Sequence, residues 1–341
     1  MKKETLIDIA KITGYSKSTI SRVLNGKSEQ YRISETAKNN ILQVVKELNY
    51  KPNVTAQSLR NNITYTIGLV LPHIDNPFFA NIASIVISEA QKYNYTVMLI
   101  DTLEDPMQEE KAIESLLARN IDGIILVPSG DNPKKLEDFS KHIPLILIDR
   151  YFEGHNLPYV STDNYVGAYQ ATKLLLESGH RRILCIQGPE ISITSQERVR
   201  GCKNAVNELG DPNLLAIKGN DFSIQNGYIE TKLVATQEVR PTAIFALSST
   251  ILLGTIKALN EHNIHVPADI SLISFDDNLY LDYLNPPITR IAQPLTNIGV
   301  IAVKMLMHKI IEKTDLNTEI LLQPTIIKRE SIKVISSNEA Q

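Results

Sequence analysis

The sequence predicts a small all-α, helix-turn-helix head joined to an α/β core of two doubly wound parallel-sheet lobes. Three observations predict it. Apolar residues in the first 50 positions recur at helical spacing, interrupted by Gly14 and by serines placed to cap helices. From Thr64 onward, short apolar runs alternate with helical segments, and the series occurs twice. Charge divides at the same place. Residues 1–63 hold eleven Lys and Arg against five Asp and Glu, a net +6, which leaves −9 for the rest of a chain whose total is −3. A basic head on an acidic body points to a polyanion that meets one end only.

In the head, Ile9, Ala10, Ile12, Ile20, Val23 and Leu24 are expected to form one apolar patch across two short helices. Gly14 sits where the chain must turn between them and tolerates a left-handed conformation. Ser16 is placed to cap the second helix, about 17–25, whose outer face carries Lys17, Ser18, Ser21 and Arg22. Two helices, a tight turn and a short-sided polar second helix describe a helix-turn-helix. A third helix is expected over 34–48, capped by Ser34, with Ala37, Ile41, Val44, Val45 and Leu48 on one stripe. Between the second and third helices runs a long polar, basic connection, residues 25–33.

Pro52 disfavours helix for Lys51 and can open a new one as its first residue. The candidate helix 53–62 is short and poor in helix formers, which marks it as a hinge ordered only when bound. In the core, 66–71, 96–101, 123–127 and 145–149 read as buried parallel strands, with helices near 81–93, 107–119 and 133–141. The second series has strands near 182–187, 215–218, 243–247 and 272–275, and helices near 165–178, 196–209, 225–236 and 251–261. Ligands of such sheets bind beyond the carboxyl ends of the strands, so a cleft between two lobes would be lined by residues just after them.

Several classes are excluded or disfavoured. Cys185 and Cys202 fit no metal motif and read as buried free thiols, and no metal or cofactor is expected. Asp8 and Lys11 interrupt any signal-peptide core, and no apolar run reaches 18 residues, so a cytoplasmic chain without a membrane span is expected. No G-x-S-x-G, P-loop, HExxH or dinucleotide-binding glycine pattern appears. His73, His155, His180 and His265 are scattered without partner spacing. No catalytic residue is proposed, and the chain is not expected to be an enzyme.

Taken in order along the chain, the motifs resemble those of the lactose/galactose repressor family. The head carries Thr5-Leu-Ile-Asp-Ile-Ala10, then Gly14 and Ser16 through Asn25, and the hinge carries Tyr50-Lys-Pro-Asn53, Ala56 and Leu59. The core adds Ile67-Gly-Leu-Val-Leu-Pro72, Asn76-Pro-Phe-Phe79, Ile121-Asp-Gly-Ile124, Asp149-Arg150, Ser178-Gly-His-Arg181, Pro241-Thr-Ala-Ile-Phe245 and Phe275-Asp-Asp277. The extended connection Asn25-Gly-Lys-Ser-Glu-Gln-Tyr-Arg-Ile-Ser34 is similar to the fructose and sucrose repressor branch, which favours a fructose-type effector by analogy. The resemblance implies a core like the periplasmic sugar-binding proteins. It also implies boundaries: 1–50 for the head, 51–63 for the hinge helix, 64–162 with 294–324 for an N-terminal lobe, 163–293 with 325–335 for a C-terminal lobe, and 336–341 for a tail.

On this resemblance Lys17, Ser18 and Arg22 would reach base edges or backbone, with arginine able to donate bidentately to guanine. Thr5, Ser16, Thr19, Ser21 and Asn25 would hold phosphates or serve only as caps and exposed surface. Tyr31 and Arg32 would touch phosphate or tuck over the head's own core, with phosphate favoured for Arg32. In the hinge, Asn53 belongs to the motif, Ala56 permits close helix approach, and Leu59 would wedge a central base step from the minor groove. For the effector, Arg198 and Asp276 would bind sugar hydroxyls. Asn76, Arg150 and Ser248 would line the cleft, Phe78, Phe79 and Phe222 would line it or pack in the core, and Ser129, Ser192 and Thr194 would be loop hydroxyls able to hold a phosphate.

The sequence departs from the family at Ser248-Ser249, where an acid usually starts a helix. Ser249 can still cap, but a carboxylate is lost, which is compatible with an anionic effector. The function implied is a sequence-specific repressor of carbohydrate catabolism genes. It would bind palindromic double-stranded DNA as a homodimer, under control of a sugar or sugar phosphate. The rival is a sugar-binding protein of transport or sensing with no DNA role.

Overall fold

The computed structural model describes residues 5–50, 63–209, 211, 215–313 and 318–335. The hinge residues Asn53, Ala56 and Leu59 lie outside them. The chain divides into two compact units, Met1–Thr64 and Tyr65–Gln341.

The first unit is three helices: α1 (Leu6–Thr13), α2 (Lys17–Leu24) and α3 (Glu35–Glu47). The Asp8 carboxylate accepts from the Thr5 backbone N–H at 2.9 Å and from its hydroxyl at 2.6 Å, closing the start of α1. Gly14 ends it at φ 74°, a conformation a side chain would resist. The Ser16 hydroxyl accepts from Thr19 N–H at 3.1 Å, and Ser34 from Ala37 N–H at 3.2 Å. Ile9, Ile20, Val23, Ile41 and Val44 form the core, with Ala10, Leu24, Val45 and Leu48 packed against it. Ile12 does not join them: it is 58% exposed. On an eight-residue helix the buried stripe runs through Leu6, Ile9, Ala10 and Thr13, and Ile12 falls on its flank.

The second unit holds two six-stranded sheets. The first is formed by β1 (Thr66–Leu71), β2 (Thr96–Asp101), β3 (Gly123–Leu126), β4 (Leu145–Ile148), β5 (Tyr159–Thr162) and β11 (Glu319–Leu322), in the order β11-β5-β4-β3-β1-β2 and parallel throughout. The second is formed by β6 (Ile183–Ile186), β7 (Leu215–Lys218), β8 (Ala243–Ala246), β9 (Ser271–Phe275), β10 (Thr289–Ala292) and β12 (Thr325–Ile327), in the order β12-β10-β9-β8-β6-β7. Only β12 runs antiparallel.

Strand alternation sends neighbouring side chains to opposite faces, so each sheet has two cores. In the first sheet Ile67, Leu69, Ile125 and Ile146 face α4 (Pro77–Lys92) and α11 (Leu295–Met307). Val70, Ile124, Leu126 and Leu145 face α5 (Pro106–Ala118) and α6 (Pro133–Ser140). In the second sheet Ile183, Cys185 and Phe245 face α7 (Asn164–Glu177) and α8 (Ile193–Leu209). Leu184, Ile186 and Ile244 face α9 (Ile224–Ala235) and α10 (Ser249–Glu261). Both cysteines are buried and unbridged.

Three crossings join the lobes: after β5, after β10 and between β11 and β12. The sequence pattern did not reveal β5, β10, β11, β12 or α11. The strands among them have three or four residues and carry polar groups, such as Arg290 in β10. That arginine is buried because Asp277 (2.6 Å) and Asp282 (2.9 Å) neutralise it. Two helices begin earlier than expected. Asn76 caps α4 and Pro77 opens it, where a missing N–H costs nothing. α8 begins at Ile193, which places Thr194 in its first turn and not in a loop.

α9 and α10 approach through Gly227 and Gly254, where an added methyl would meet the Ile251 and Ile224 carbonyls respectively. Because backbone cannot yield as a side chain can, Gly254→Ala is expected to destabilise the core by about 1–3 kcal/mol or more. The thermal and urea unfolding of the full chain check this.

Candidate effector site and DNA-reading face

A cavity lies where residues just past the strand ends of both sheets converge. From the first lobe come Asn76, Phe78 and Phe79 at the start of α4, and Asp149 and Arg150 after β4. From the second come Arg198 on α8, Phe222, Ser248 before α10 and Asp276 after β9. Nine of the eleven effector residues named from sequence, Thr194 among them, therefore share one cavity. Ser129 and Ser192 do not. They line a larger outer space that shares Arg150 and Phe222 with the inner one. Their hydroxyls are paired locally, Ser129 with Thr102 and Ser192 with Thr194, each at 2.9 Å.

The charged groups are held apart in specific ways. Arg150 donates two bonds to the Glu104 carboxylate at 2.6 and 2.7 Å, a bidentate pair, and a third to the Pro128 carbonyl at 3.1 Å. Arg198 is buried. Its Nε donates to Asn164 Oδ1 at 2.8 Å and its Nη1 to the Leu247 carbonyl at 2.6 Å, while its guanidinium lies 3.8 Å from the Phe275 ring centre. Burial pulls its pKa down, against Asp276 and Asp149, which pull it up.

Asp276 sits at φ 77° and Asp149 at φ 64°, turns that aim each carboxylate back over its strand end. Asp276 Oδ2 accepts from Ser249 N–H at 3.0 Å and Oδ1 from Gln293 Nε2 at 2.6 Å. Gln293 Oε1 in turn accepts from the Thr162 hydroxyl at 2.6 Å. The cap of α10 is Ser248, whose hydroxyl accepts from Ile251 N–H at 3.2 Å; Ser249 is the first helical residue. The sequence assigned that cap to Ser249 and counted a carboxylate as lost. Asp276 supplies one to the same helix start from another strand.

Asp149 Oδ1 and Arg150 Nε are buried without a hydrogen-bond partner. Burial raises the Asp149 pKa to about 6. Arg150 and Arg198 oppose the rise, and Asp276 and Glu104 add to it. His73, Glu104 and Gln293 also line the cavity and were not singled out from sequence. Gln293 follows β10, a strand the sequence pattern hides. Among the described residues no cluster of three or more His, Cys, Asp or Glu is arranged to hold a metal, and no helix is long and apolar enough to cross a membrane.

In the head, Lys17, Ser18 and Arg22 are exposed on α2. Ser16 and Thr19 take part in the α2 cap, and Asn25 Nδ2 donates back to the Ser21 carbonyl at 2.7 Å. Thr5 caps α1, and Arg32 is exposed at φ 49°. Tyr31 is neither tucked into the core nor isolated: the Arg22 guanidinium stacks on its ring at 3.9 Å.

A helix-turn-helix with a basic outer face and a polar cleft between two α/β lobes define a DNA-reading regulator whose core takes a small ligand. The chain belongs to the LacI family. Residues 5–53 match the model described as bacterial regulatory proteins, lacI family, and residues 64–331 match periplasmic binding proteins and sugar binding domain of LacI family. A ribose operon repressor of Halalkalibacterium halodurans is 36% identical over 96% of this chain and 97% of its own length. The transcriptional repressor PurR of Vibrio atlanticus is 31% identical over 97% and 99%. A crystal structure of a LacI family regulator from Enterococcus faecium with bound ribose superposes with a TM-score of 0.72 at 27% identity, covering 80% of this chain and all of that one. The chain is thus a DNA-binding transcriptional repressor with a sugar-binding core. Neither relative is named for fructose or sucrose.

Asp149 gives a pH prediction. Its pKa is higher in the folded chain than the ordinary 3.8, so ionisation opposes folding. The penalty is complete above about pH 6 and absent below about pH 4. Asp149→Asn is therefore expected to stabilise the core at neutral pH by on the order of 2–3 kcal/mol. That gain should vanish as pH falls through 6 towards 4, as thermal unfolding across pH would record. Asparagine also tolerates the left-handed backbone.

Proposed function

We propose that the core senses a small neutral sugar, a pentose of the ribose type, and that the head reads a palindromic operator as part of a homodimer in the cytoplasm. The fructose-type or phosphorylated effector expected from sequence gives way in this reading. One observation carries it: both guanidiniums that line the cavity, and the start of α10, are already engaged. Glu104 neutralises Arg150, oxygen acceptors and the Phe275 ring hold Arg198, and Asp276 occupies the start of α10. What remains unpartnered is an acceptor beside a donor, Asp149 Oδ1 and Arg150 Nε, which suits a hydroxyl that both donates and accepts. Phe78, Phe79 and Phe222 offer apolar faces to ring C–H groups. The ribose named for one relative and bound in one structural neighbour supports the same choice.

Lys17, Ser18 and Arg22 are the side chains we assign to base edges, with Arg32 and the polar residues around the caps on phosphate. One head spans too few base pairs for genomic specificity, so two must act together. Leu59 is assigned to a minor-groove wedge. Effector and operator are then linked, with a coupling of about 1–3 kcal/mol.

Thermal shift of the full chain with D-ribose, D-fructose and fructose phosphates tests the sensing half. D-ribose at 100 times its dissociation constant should stabilise by about 2.7 kcal/mol. A shift by sugar phosphates alone would refute the neutral-sugar assignment. For the head, affinity for duplexes selected by the chain should fall about 10³–10⁵-fold between 50 and 200 mM salt, as fluorescence anisotropy would show.

A further inference from the structure

The connection between α2 and α3 is a folded element with a purpose of its own. Lys27 N–H donates to the Arg22 carbonyl at 2.9 Å, continuing from the end of α2, and Gly26 makes the reversal at φ 71°. Tyr31 N–H then donates to the Lys27 carbonyl at 3.2 Å, and Ile33 N–H to the Ser28 carbonyl at 2.9 Å. Ile33 packs against the core of the head. The turn is therefore anchored at both ends. Its one aromatic ring ends up beneath the one arginine of α2, with the guanidinium carbon 3.9 Å from the ring centre.

We infer that Tyr31 is a positioning residue for DNA reading, which holds the Arg22 guanidinium ready for a base edge. The inference rests on the assignment of Arg22 to base contact. Its physical basis is that stacking and hydrogen bonding use different parts of the guanidinium. The ring takes the flat face through cation–π attraction, and the N–H donors point outward in the plane, where a guanine O6/N7 pair accepts them. An unrestrained arginine loses side-chain entropy when it docks, and one already stacked loses less. This role needs the ring and not the hydroxyl, which separates it from a phosphate contact, one of the two roles that the sequence left open for Tyr31.

The test uses the full-length protein and duplexes it selects from a randomised pool, with each base pair of the selected site then exchanged in turn. Arg22→Ala should abolish discrimination at one base pair of each half-site, a loss of tenfold or more. Tyr31→Leu should reduce discrimination at that same pair by about two- to five-fold. It should leave the other pairs, the melting temperature and the slope of log affinity against log salt unchanged. Tyr31→Phe and Tyr31→Trp should restore the discrimination. The inference is overturned if Tyr31→Phe is as weak as Tyr31→Leu with a shallower salt slope, which marks a phosphate contact. A uniform loss at all pairs with a lowered melting temperature, which marks a purely structural residue, overturns it too, as does a Tyr31→Leu variant that discriminates like wild type. If Arg22→Ala leaves every preference intact, the base-reading assignment itself fails and takes the inference with it.

Discussion

Asp276 commits both of its carboxylate oxygens to neighbours that belong to different parts of the core. One receives the first N–H of α10, and the other receives Gln293, which also receives the Thr162 hydroxyl. Thr162 ends β5 and Gln293 follows β10, so two of the three chain crossings between lobes meet in this one buried chain of bonds. The third is tied nearby, where Gln323 Nε2 donates to Asp163 at 3.0 Å. A carboxylate on a helix start is stabilised by the helix dipole and by a charge-assisted bond. Here the same group also registers the crossings against one another. A sugar hydroxyl that reached Asp276 would therefore bear on the crossings that join the lobes.

The surrounding charges follow from this arrangement. Three carboxylates, Glu104, Asp149 and Asp276, and two arginines, Arg150 and Arg198, line one cavity. Burial of unpaired charge costs several kcal/mol, so each must be answered locally. Glu104 answers Arg150, and the α10 start and Gln293 answer Asp276. Asp149 is the one left short, with an oxygen unpartnered and a pKa pushed up to about 6. A ligand hydroxyl that donates to it would relieve that burial penalty, a source of affinity that adds no new apolar contact.

How much of this was legible in the sequence depended on what each element buries. Helix caps and alternating strands are local properties, so Ser16, Ser34 and the runs of Ile, Leu and Val marked their elements directly. β10 was hidden because its Arg290 is buried only by virtue of two aspartates elsewhere in the chain. Gln293 was hidden with it. Arg198 and Asp276 were visible through motif order, yet what holds them was not, since Asn164 and the Leu247 carbonyl come from other elements. Ser248-Ser249 misled for the same reason: the carboxylate at that helix start arrives from β9. The Arg22–Tyr31 contact joins residues nine apart, and a turn with Gly26 and Arg32 at positive φ brings them together.

The ligand sensitivity proposed for the core asks for stiffness within the lobes and few links between them. Each sheet is packed on both faces, and the α9–α10 contact brings helix backbones together through glycines, so neither lobe deforms cheaply. Three crossings are all that the chain passes between the two sheets. The low-energy motion of such a body is rotation about those crossings. The cavity draws Asn76, Phe78, Phe79 and Arg150 from one lobe and Arg198, Phe222 and Ser248 from the other. A ligand held by only one set would have equal affinity for any lobe angle and would shift nothing. A ligand held by both must favour one angle, and the size of that preference sets the limit on any signal the core can deliver.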